Sequence, residues 1–274
     1  MTDTSSAAGE WTNKINTTVP HSARVWNYFL GGKDNFAVDR AAGDQYREIF
    51  PEIMDIARAD RGFLGRAVRY LAGEAGVRQF LDIGTGLPTL DNTHEVAQRA
   101  APSSRIVYVD NDPLVLVHTR ALLVTNPEGA TNYIEADLRE PDKILEAAAA
   151  TLDFNRPVAV MLLGILHFIP DTDEAYTVVD RLMGAVPSGS YLSLTHATLE
   201  IGGDSQGNAK AQAEWNAKAA VPLTPRTKQQ IARFYQDLEL LEPGIVSMTQ
   251  WRPDEAAREL PEVVAGYCAV GRKP

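Results

Sequence analysis

The segment F-L-D-I-G-T-G-L-P at residues 80–88 constrains the fold of this 274-residue chain more than any other part of the sequence. Its first residues are apolar and predict a buried strand, which leads into a turn that contains Gly84 and Gly86. Doubly wound α/β proteins use a strand that ends in a glycine-rich turn to bring their backbone close to a ligand. The segment therefore predicts a parallel sheet with a ligand site at its carboxyl edge.

The rest of the chain supports such a sheet, because β-rich runs alternate with helical patterns. Four further runs lie at residues 105–109, 131–135, 158–163 and 191–195. Strands that are joined by helices need right-handed crossovers and give a parallel sheet. Two late runs, at 244–251 and 263–270, complete a predicted sheet of seven strands. The expected fold is a doubly wound α/β sheet that is flanked by helices.

Apolar residues at helical spacing predict three helices ahead of the sheet. The first ends at Gly31 and Gly32, the second covers residues 36–49, and the third covers residues 51–73. The densest basic stretch of the chain, at residues 58–69, falls on the third helix. Its arginines are spaced like the solvated face of a helix, although a local role in a site stays open.

The predicted organisation is a single domain. We expect residues 1–20 to be a disordered tail because they are small and polar. Residues 21–76 are expected to form a helical lid region, and residues 77–274 are expected to form the core. Within the core, helices are predicted near residues 209–219 and from a cap at Thr224 to about residue 238.

Charge and hydropathy limit the binding partners and the cellular location that we expect for the protein. The chain has 26 Lys and Arg against 36 Asp and Glu, which gives a formal net charge of −10 and should repel a nucleic-acid backbone. The N-terminal residues lack the basic start and apolar core of a secretory signal, and no apolar stretch is long enough to span a membrane. We therefore expect a cytoplasmic protein without a nucleic-acid or membrane partner.

Asp82 helps to decide which ligand the glycine-rich turn can hold. In a dinucleotide site the turn meets a pyrophosphate, which a carboxylate at this position would repel. The dinucleotide pattern also expects a third glycine at position 89, where this chain has Thr89. S-adenosylmethionine carries a sulfonium and an ammonium, so an acid beside the turn suits this cationic ligand.

Acids also stand at the ends of the next two predicted strands. Asp110, in V-Y-V-D-N-D, can accept both hydroxyls of an adenosine ribose because a carboxylate has two acceptor oxygens. Asp137, in Y-I-E-A-D-L, could take the adenine amino group, while Leu138 covers one face of the ring. The alternative is that these acids only cap helices. We prefer that alternative for Asp112, because Pro113 follows it, and we prefer the ligand for Asp110.

Together these motifs resemble the class I S-adenosylmethionine-dependent methyltransferases. D-I-G-T-G at 82–86 is similar to the first motif of that superfamily, V-D-N-D at 109–112 to its ribose acid, and E-A-D-L at 135–138 to its adenine motif. G-I-L-H-F-I-P-D at 164–171 resembles the segment after strand four, where many members carry an L-H pair beside the methyl donor. The resemblance implies a Rossmann-like sheet with a reversed last strand. It also implies S-adenosyl-L-methionine as cofactor and S-adenosyl-L-homocysteine as product.

A closer resemblance covers nearly the whole chain. The order of S-A-R-V-W-N-Y-F-L-G-G-K-D-N-F, Q-F-L-D-I-G-T-G-L-P-T, V-Y-V-D-N-D-P and L-H-F-I-P-D is similar to an actinobacterial S-adenosyl methyltransferase family once catalogued as a domain of unknown function. Pro88 stands where many superfamily members have a third glycine, and the next helix is expected only near Asn92, where Asn92 and Glu95 have the spacing of a capping box. The cofactor contacts implied by the core motifs are Asp82, Gly84, Thr85, Gly86, Asp110, Asn111, Asp137, Leu138, Gly164 and His167.

The segment Y-F-L-G-G-K-D-N-F at residues 28–36 is interpreted as a lid over the methionine end of the donor. Lys33 or Arg24 could meet the donor carboxylate, and Asp34 could meet its ammonium. Further cofactor contacts in this segment are expected from Tyr28, Gly32 and Asn35. The alternative is a helix end at Gly31 and Gly32, followed by a helix that Asp34 or Asn35 caps. Both interpretations can hold together.

The histidines and the cysteine indicate no metal site. Cys268 lies in an apolar run and is predicted to be an inert buried thiol. No pair among the five histidines has the i, i+4 spacing of a helical metal site. His167 and His196 follow the fourth and fifth strands, so either could be a general base for an acceptor hydroxyl or amine. For each of them, the favoured alternative is a structural histidine or one that packs against the cofactor.

The predicted function is methyl transfer to an O, N or C atom of an unidentified acceptor. We expect a small molecule, in a space between the lid, residues 167–171 and residues 195–207. A protein that binds S-adenosylmethionine for regulation, without catalysis, stays open because no catalytic base is certain. A nicotinamide-dependent oxidoreductase is less favoured, because Asp82 and Thr89 both argue against it.

Overall fold

The computed structural model describes residues 15–89, 91–115, 126–203 and 222–274, together with 209–210, 212–213 and 216–217. The helices are α1 (Ser22–Phe29), α2 (Ala37–Ile49), α3 (Ile53–Gly73), α4 (Thr93–Ala100), α5 (Pro141–Ala148), α6 (Thr172–Gly184), α7 (Lys228–Arg233) and α8 (Glu255–Arg258), with a 3-10 turn at Leu166–Phe168. The strands are β1 (Gln79–Ile83), β2 (Arg105–Asp110), β3 (Ala130–Glu135), β4 (Ala159–Leu163), β5 (Tyr191–Ala197), β6 (Glu239–Leu240), β7 (Val246–Ser247) and β8 (Gly266–Arg272).

The strands form one sheet in the order β3-β2-β1-β4-β5-β8-β6, and β7 also pairs with β8. Strands β1 to β5 all run parallel to one another, whereas β8 runs antiparallel to β5. The predicted doubly wound α/β fold with a reversed last strand is therefore confirmed. The strand order reverses between β1 and β4, which is where such sheets open a crevice for a ligand at their carboxyl edge.

The late part of the sheet differs from the seven strands predicted, because the described sheet has eight. The run at 244–251 is a strand only at Val246–Ser247, since a turn follows in which the Gln250 N–H donates to the Ser247 carbonyl. Glu239–Leu240 adds a further short strand. The helix expected from Thr224 begins only at Lys228, because the backbone N–H groups of Thr224 and Arg226 donate to the carbonyls of His167 and Ala197 at the sheet edge.

Apolar side chains cover both faces of the sheet. On one face, α1, α2 and α3 share a hydrophobic cluster with strand residues that include Phe80 and Cys268. Helix α3 is central to it, and Phe63 meets the fully buried Trp251 edge-on at 5.4 Å between ring centroids. Cys268 is fully buried, and burial raises the pKa of its thiol well above the usual range, as expected of an inert thiol. On the other face, α5, α6 and α7 pack against the sheet.

The predicted tail at 1–20 falls only partly within the described residues, because residues 1–14 lie outside them. Two contacts hold residues 15–20 to the rest of the protein, although residues 16–19 are exposed: the Arg24 guanidinium donates to the Asn16 carbonyl at 3.0 Å, and Ile15 packs against a cluster with Leu87. Most of the helix predicted at 209–219 also lies outside the described residues. No helix within the described part of the chain is long and apolar enough to cross a membrane.

Candidate functional site

The glycine-rich turn after β1 is joined to the end of β2. Gly84 and Gly86 have φ angles of 75° and 64°, which favour glycine. The Gly84 N–H donates to the Val109 carbonyl at 2.8 Å, the Thr85 N–H reaches the same oxygen at 3.3 Å, and the Gly86 N–H donates to Asp110 Oδ2 at 2.8 Å. A Cβ atom placed on Gly86 would meet no heavy atom within 4 Å. The space in front of Gly86 is therefore wide enough for a ligand to approach the backbone.

Asp110 is held by backbone donors on both carboxylate oxygens. Oδ2 accepts from Gly86, and Oδ1 accepts from the Asp112 N–H at 2.9 Å. Burial raises the pKa of Asp110, and the hydrogen bonds from Asp112 and Gly86 oppose that rise. Each oxygen keeps a lone pair for a further donor, so the geometry is compatible with two ribose hydroxyls. The cap expected of Asp112 is also present, since its Oδ1 accepts from the Leu114 N–H.

The adenine motif includes an ion pair that sequence reasoning missed. Asp137 accepts from the Arg139 N–H and Nε, and its Oδ2 lies 2.7 Å from Arg139 Nη2. The hydrogen bond from Arg139 lowers the pKa of Asp137, and the exposed side chain of Asn111 donates to the same carboxyl. Leu138 is buried in the core. Contacts of Asp137, Asn111 and Leu138 with adenine stay predictions.

Asp82, two residues before Gly84, has only 3% of its surface exposed. Its Oδ2 accepts a hydrogen bond of 2.6 Å from Thr93 Oγ1, the first residue of α4. Asn92 and Glu95 form the expected capping box there. Burial raises the pKa of Asp82 to about 6, although Thr93 and Arg61 act against the rise. Asp82 thus links the end of β1 to the start of α4, and its contact with a cationic ligand stays a prediction.

Helix α3 brings two charged residues to this edge that sequence reasoning did not assign. Asp60 accepts a hydrogen bond of 2.5 Å from Thr195 Oγ1 at the end of β5, and burial raises its pKa to about 6. Arg61 is half-buried, donates to Asn92 Oδ1 at 3.1 Å and interacts electrostatically with Asp82. The sequence carries a signal for Asp60, because it lies four residues from Ile56 and from Leu64 on the apolar face of the helix.

The interpretation of residues 58–69 as a solvated face is wrong for part of the stretch. Arg58 and Arg69 are exposed, but Arg66 is buried. Its guanidinium donates to the Trp251 carbonyl at 2.9 Å and the Met248 carbonyl at 2.6 Å. The loop after β7 covers α3 at this point, so a basic side chain is used to satisfy buried carbonyls.

The raised pKa of Asp60 predicts a stability that falls with pH. Its folded pKa of about 6 exceeds the ordinary value of 3.8, so the folded protein holds more protons than the unfolded chain between these values. The free energy of unfolding therefore decreases as the pH rises through this window. We expect Asp60→Asn, which cannot titrate, to be more stable than the wild type by about 3 kcal/mol at pH 8 and close to it in stability near pH 4.

Urea unfolding at the two pH values measures this difference. Asp55→Asn on the same helix is the matched control, because Asp55 is partly exposed and its ion pair among the described residues is with Arg58. A gain in stability that is the same at both pH values would show that Asp60 does not titrate as described.

The segment at 28–36 is organised by Asn27, a buried residue that sequence reasoning also missed. Asn27 Oδ1 accepts from the Asp34 N–H and from Asn35 Nδ2, and its carbonyl accepts from the Gly32 N–H. The Tyr28 hydroxyl donates to Asp44 of α2 at 2.8 Å. These contacts order the segment, and contacts of Tyr28, Gly32, Asp34 and Asn35 with the cofactor stay predictions.

The ends of α1 and α2 agree in part with the predicted caps. Gly31 has a φ of 76° just after α1, as expected of a helix end. Helix α2 is not capped by Asp34 or Asn35, because Asp39 Oδ2 inside the helix accepts from the Phe36 N–H.

Arg24 and Lys33, the two cations proposed for the donor carboxylate, have different surroundings. Arg24 is buried, and its Nε lies 3.2 Å from Asp112 Oδ2, which fixes α1 to the end of β2. Its Nη1 also lies 3.7 Å from Asp39 Oδ2. Lys33 is exposed. Arg24 thus holds α1 against the end of β2. Of the two cations, the exposed Lys33 is the one that stays proposed for the donor carboxylate.

The two candidate histidines lie together at the ends of β4 and β5, with their rings perpendicular and 5.7 Å apart. His196 is engaged at both nitrogens: Nδ1 donates to the Ala197 carbonyl at 2.8 Å, and Nε2 accepts from Arg226 Nη1 at 2.9 Å. Burial and the neighbouring His167 lower the pKa of His196 well below its usual value. A neutral ring whose lone pair already accepts from an arginine is suited to a structural role.

His167 differs from His196, because its Nδ1 is buried without a hydrogen-bond partner among the described residues. Burial, followed by the charge of Arg226, lowers the pKa of His167 to about 3, so the ring is neutral at pH 7. Gly164, three residues earlier, has a φ of 63°, and a Cβ atom there would meet only His167 Cε1, at 3.9 Å. The turn after β4 therefore combines an approachable backbone with an unpaired imidazole nitrogen.

The glycine turn, Asp110 and the turn that carries His167 follow neighbouring strands of the sheet. Asp82 of β1 pairs in register with Tyr108 of β2 and with Met161 of β4. The carboxyl ends of β1, β2 and β4 thus bring the glycine turn, Asp110 and the His167 turn to one edge. Among the described residues, no cluster of His, Cys, Asp and Glu could hold a metal ion.

Comparisons with known proteins agree with this geometry. A family profile described as S-adenosyl methyltransferase matches residues 8–274. A DUF574 family protein from Streptomyces avermitilis is 46% identical, covers 95% of this chain and 100% of its own, and superposes with a TM-score of 0.90. A Thermobifida fusca protein assigned as a methyltransferase is 42% identical, with 93% and 95% coverage and a TM-score of 0.82. A search of curated proteins found no match.

More distant structures share the fold alone. An S-adenosylmethionine-dependent methyltransferase from Anabaena variabilis is 12% identical, with coverage of 95% and 98% and a TM-score of 0.51. The Streptomyces and Thermobifida proteins agree with the actinobacterial resemblance of the motifs. Because the profile spans the glycine turn, the strand-end acids and the His167 turn, the chain belongs to the S-adenosyl methyltransferase family and is a methyltransferase.

Proposed function

We propose that this methyltransferase binds S-adenosyl-L-methionine along the carboxyl ends of β1, β2 and β4 and methylates a small molecule. The hydrogen bond from the Gly86 N–H to Asp110 carries the proposal. It joins the turn and the ribose acid into one unit in front of the open space at Gly86. The net charge of −10 supports a small acceptor over a nucleic acid.

Residues from different parts of the chain match the chemical groups of the donor. Asp110 would accept from the ribose hydroxyls, and Asn111, Asp137 and Leu138 would contact the adenine. The turn at Gly84, Thr85 and Gly86 would approach the donor between its ribose and its methionine end, with Gly164 on the opposite side. The amino-acid end is zwitterionic, so it matches the acid and base of Asp60 and Arg61, with Asp34 or Lys33 closing over it.

When bound, the donor supplies an electrophilic methyl group on a sulfonium sulfur. The chain then has to align an acceptor atom with that group and exclude water, since orientation accounts for much of the rate of such transfers. His167 is proposed to contact the acceptor, because its Nδ1 is unpartnered and its ring is neutral. As a neutral imidazole it can hydrogen-bond to an acceptor O–H or N–H. His196 is proposed to act indirectly, through Arg226.

Binding and turnover test the proposal separately. Calorimetry should show that S-adenosyl-L-methionine and S-adenosyl-L-homocysteine bind, whereas NAD does not. Incubation with methyl-labelled donor and a small-molecule metabolite extract should place label in a low-molecular-weight product. His167→Gln is expected to lower this transfer at least ~10-fold while the affinity for S-adenosyl-L-homocysteine changes little. Failure of both adenosyl ligands to bind would refute the donor site, and label found only in protein would refute the small acceptor.

A further inference from the structure

We infer that Arg226 is a positioning residue that fixes the turn carrying His167 against the carboxyl ends of β4 and β5. The inference rests on the proposed function, because it concerns the placement of the side chain that is proposed to face the methyl acceptor. No motif pointed to Arg226, which lies in a short loop ahead of α7 and far along the chain from both histidines.

The first argument is the hydrogen bonding of the turn itself. Arg226 is 1% exposed, and its Nη1 and Nη2 donate to the carbonyls of Leu166 and Ile169 at 2.9 and 2.8 Å. The carbonyl between them in sequence, that of His167, accepts from the Thr224 N–H at 2.8 Å. Within the turn, the Leu166 carbonyl also accepts from the Ile169 N–H at 3.1 Å, whereas the carbonyls of His167 and Ile169 lie at its end, where a short helical turn has no further N–H groups to offer. The segment 224–226 supplies partners on both sides of the His167 side chain.

The second argument is that Arg226 is itself anchored to β5. Its backbone N–H donates to the Ala197 carbonyl at 3.1 Å, and its Nη1 donates to His196 Nε2. His196 can accept this bond because its other nitrogen donates to Ala197. The guanidinium thus links the end of β5 to the turn after β4, and His196 sets its orientation.

The third argument is electrostatic. No carboxylate of the described residues forms an ion pair with Arg226, although an unpaired buried charge is costly. A planar fork of donors explains why an arginine lies there, since an ammonium could not reach two carbonyls and a ring nitrogen in one plane. The charge has a second effect, because it adds to burial in lowering the pKa of His167. Phe168 and neutral His196 also face His167, and the Asp171 carboxylate acts on Arg226 through its charge without forming an ion pair with it.

Arg226→Gln and Arg226→Lys test the inference, with Arg233→Gln as a matched control. Arg233 is an exposed arginine of α7 that stacks on Tyr176 and does not touch the turn. The readouts are the ring signals of His167 by NMR, assigned by comparison with His167→Gln, the affinity for S-adenosyl-L-homocysteine, and labelled methyl transfer into the metabolite extract.

In Arg226→Gln we expect the His167 signals to shift and broaden and methyl transfer to fall at least ~10-fold, while ligand affinity stays within about twofold. Arg226→Lys keeps the charge but not the fork, so it should remain folded and show the same displaced signals with a partial loss of transfer. Arg233→Gln should match the wild type in all three readouts.

Unchanged His167 signals in folded Arg226→Gln or Arg226→Lys would overturn the inference, and so would a loss of ligand affinity as large as the loss of transfer. If the wild-type protein binds no S-adenosyl-L-homocysteine, the proposed function fails. The His167 signals still decide whether Arg226 positions the turn, so the two failures can be told apart.

Discussion

Asp110→Ala is expected to weaken the binding of S-adenosyl-L-homocysteine at least ~100-fold, which corresponds to about 2.7 kcal/mol. Two hydrogen bonds from ribose hydroxyls to a carboxylate are each worth about 1.5–3 kcal/mol, so their joint loss accounts for this effect. The substitution also removes the acceptor for the Gly86 N–H, which frees the glycine turn from β2. Calorimetry with the wild type and the variant measures the change.

A conservative variant separates charge from shape at this position. Asp110→Asn keeps the size of the side chain, but its NH₂ group must face either the Gly86 N–H or the Asp112 N–H, and both are donors. We therefore expect it to lose most of the affinity as well. Asp142→Asn is the control, because Asp142 is an exposed acid that pairs with Arg181 away from the site. Wild-type affinity in Asp110→Ala would remove Asp110 from the donor site.

The elements of the fold that could be predicted are those with a local pattern. Strand β1 was expected from the apolar residues at the start of the segment 80–88, and it covers Gln79–Ile83, because Phe80, Leu81 and Ile83 are apolar and a glycine turn follows them. The cap formed by Asn92 and Glu95 could also be predicted from the sequence, because both partners lie within one turn of helix. The prediction of a strand over 244–251 was wrong beyond Ser247. The buried apolar residues Met248 and Trp251 belong to the core that the N-terminal helices share, and they are not part of the strand.

The site could be predicted where it depends on strand ends, and not where it depends on distant partners. Asp110 was assigned from its place after an apolar strand, and its bond to Gly86 joins two motifs that were both recognised. Arg226 could not be assigned in this way, because its partners Leu166 and His196 lie 60 and 30 residues away in sequence. Nothing local distinguishes an arginine that serves such carbonyls from an exposed one.

The two glycines of the turn after β1 should respond to alanine in opposite ways. Both have positive φ, so alanine costs about 1–2 kcal/mol of stability at either position. At Gly84 the new Cβ would also collide with the Ile165 side chain, which adds about 1–3 kcal/mol. At Gly86 the Cβ would enter open space and meet nothing. We therefore expect Gly84→Ala to be the more destabilised protein and Gly86→Ala to be the poorer ligand binder.

Denaturant unfolding and calorimetry on the same two proteins measure both effects. Gly86→Ala should bind S-adenosyl-L-homocysteine at least ~10-fold more weakly than the wild type, which is about 1.4 kcal/mol, because its methyl group occupies the space left for the ligand. Gly84→Ala should lose stability mainly through Ile165, so adding Ile165→Ala should recover part of the loss, a coupling expected of residues in contact.

The variants Gly84→Ala and Gly86→Ala also test where the ligand lies. If Gly86→Ala binds S-adenosyl-L-homocysteine as tightly as the wild type while folding normally, the open space at Gly86 is not part of the donor site, whatever the effect of Asp110→Ala. If Gly84→Ala is instead no less stable than Gly86→Ala, the turn after β4 can move away from β1. Ile165 begins the segment that carries His167, so such movement would also mean that the glycine turn does not hold His167 in place.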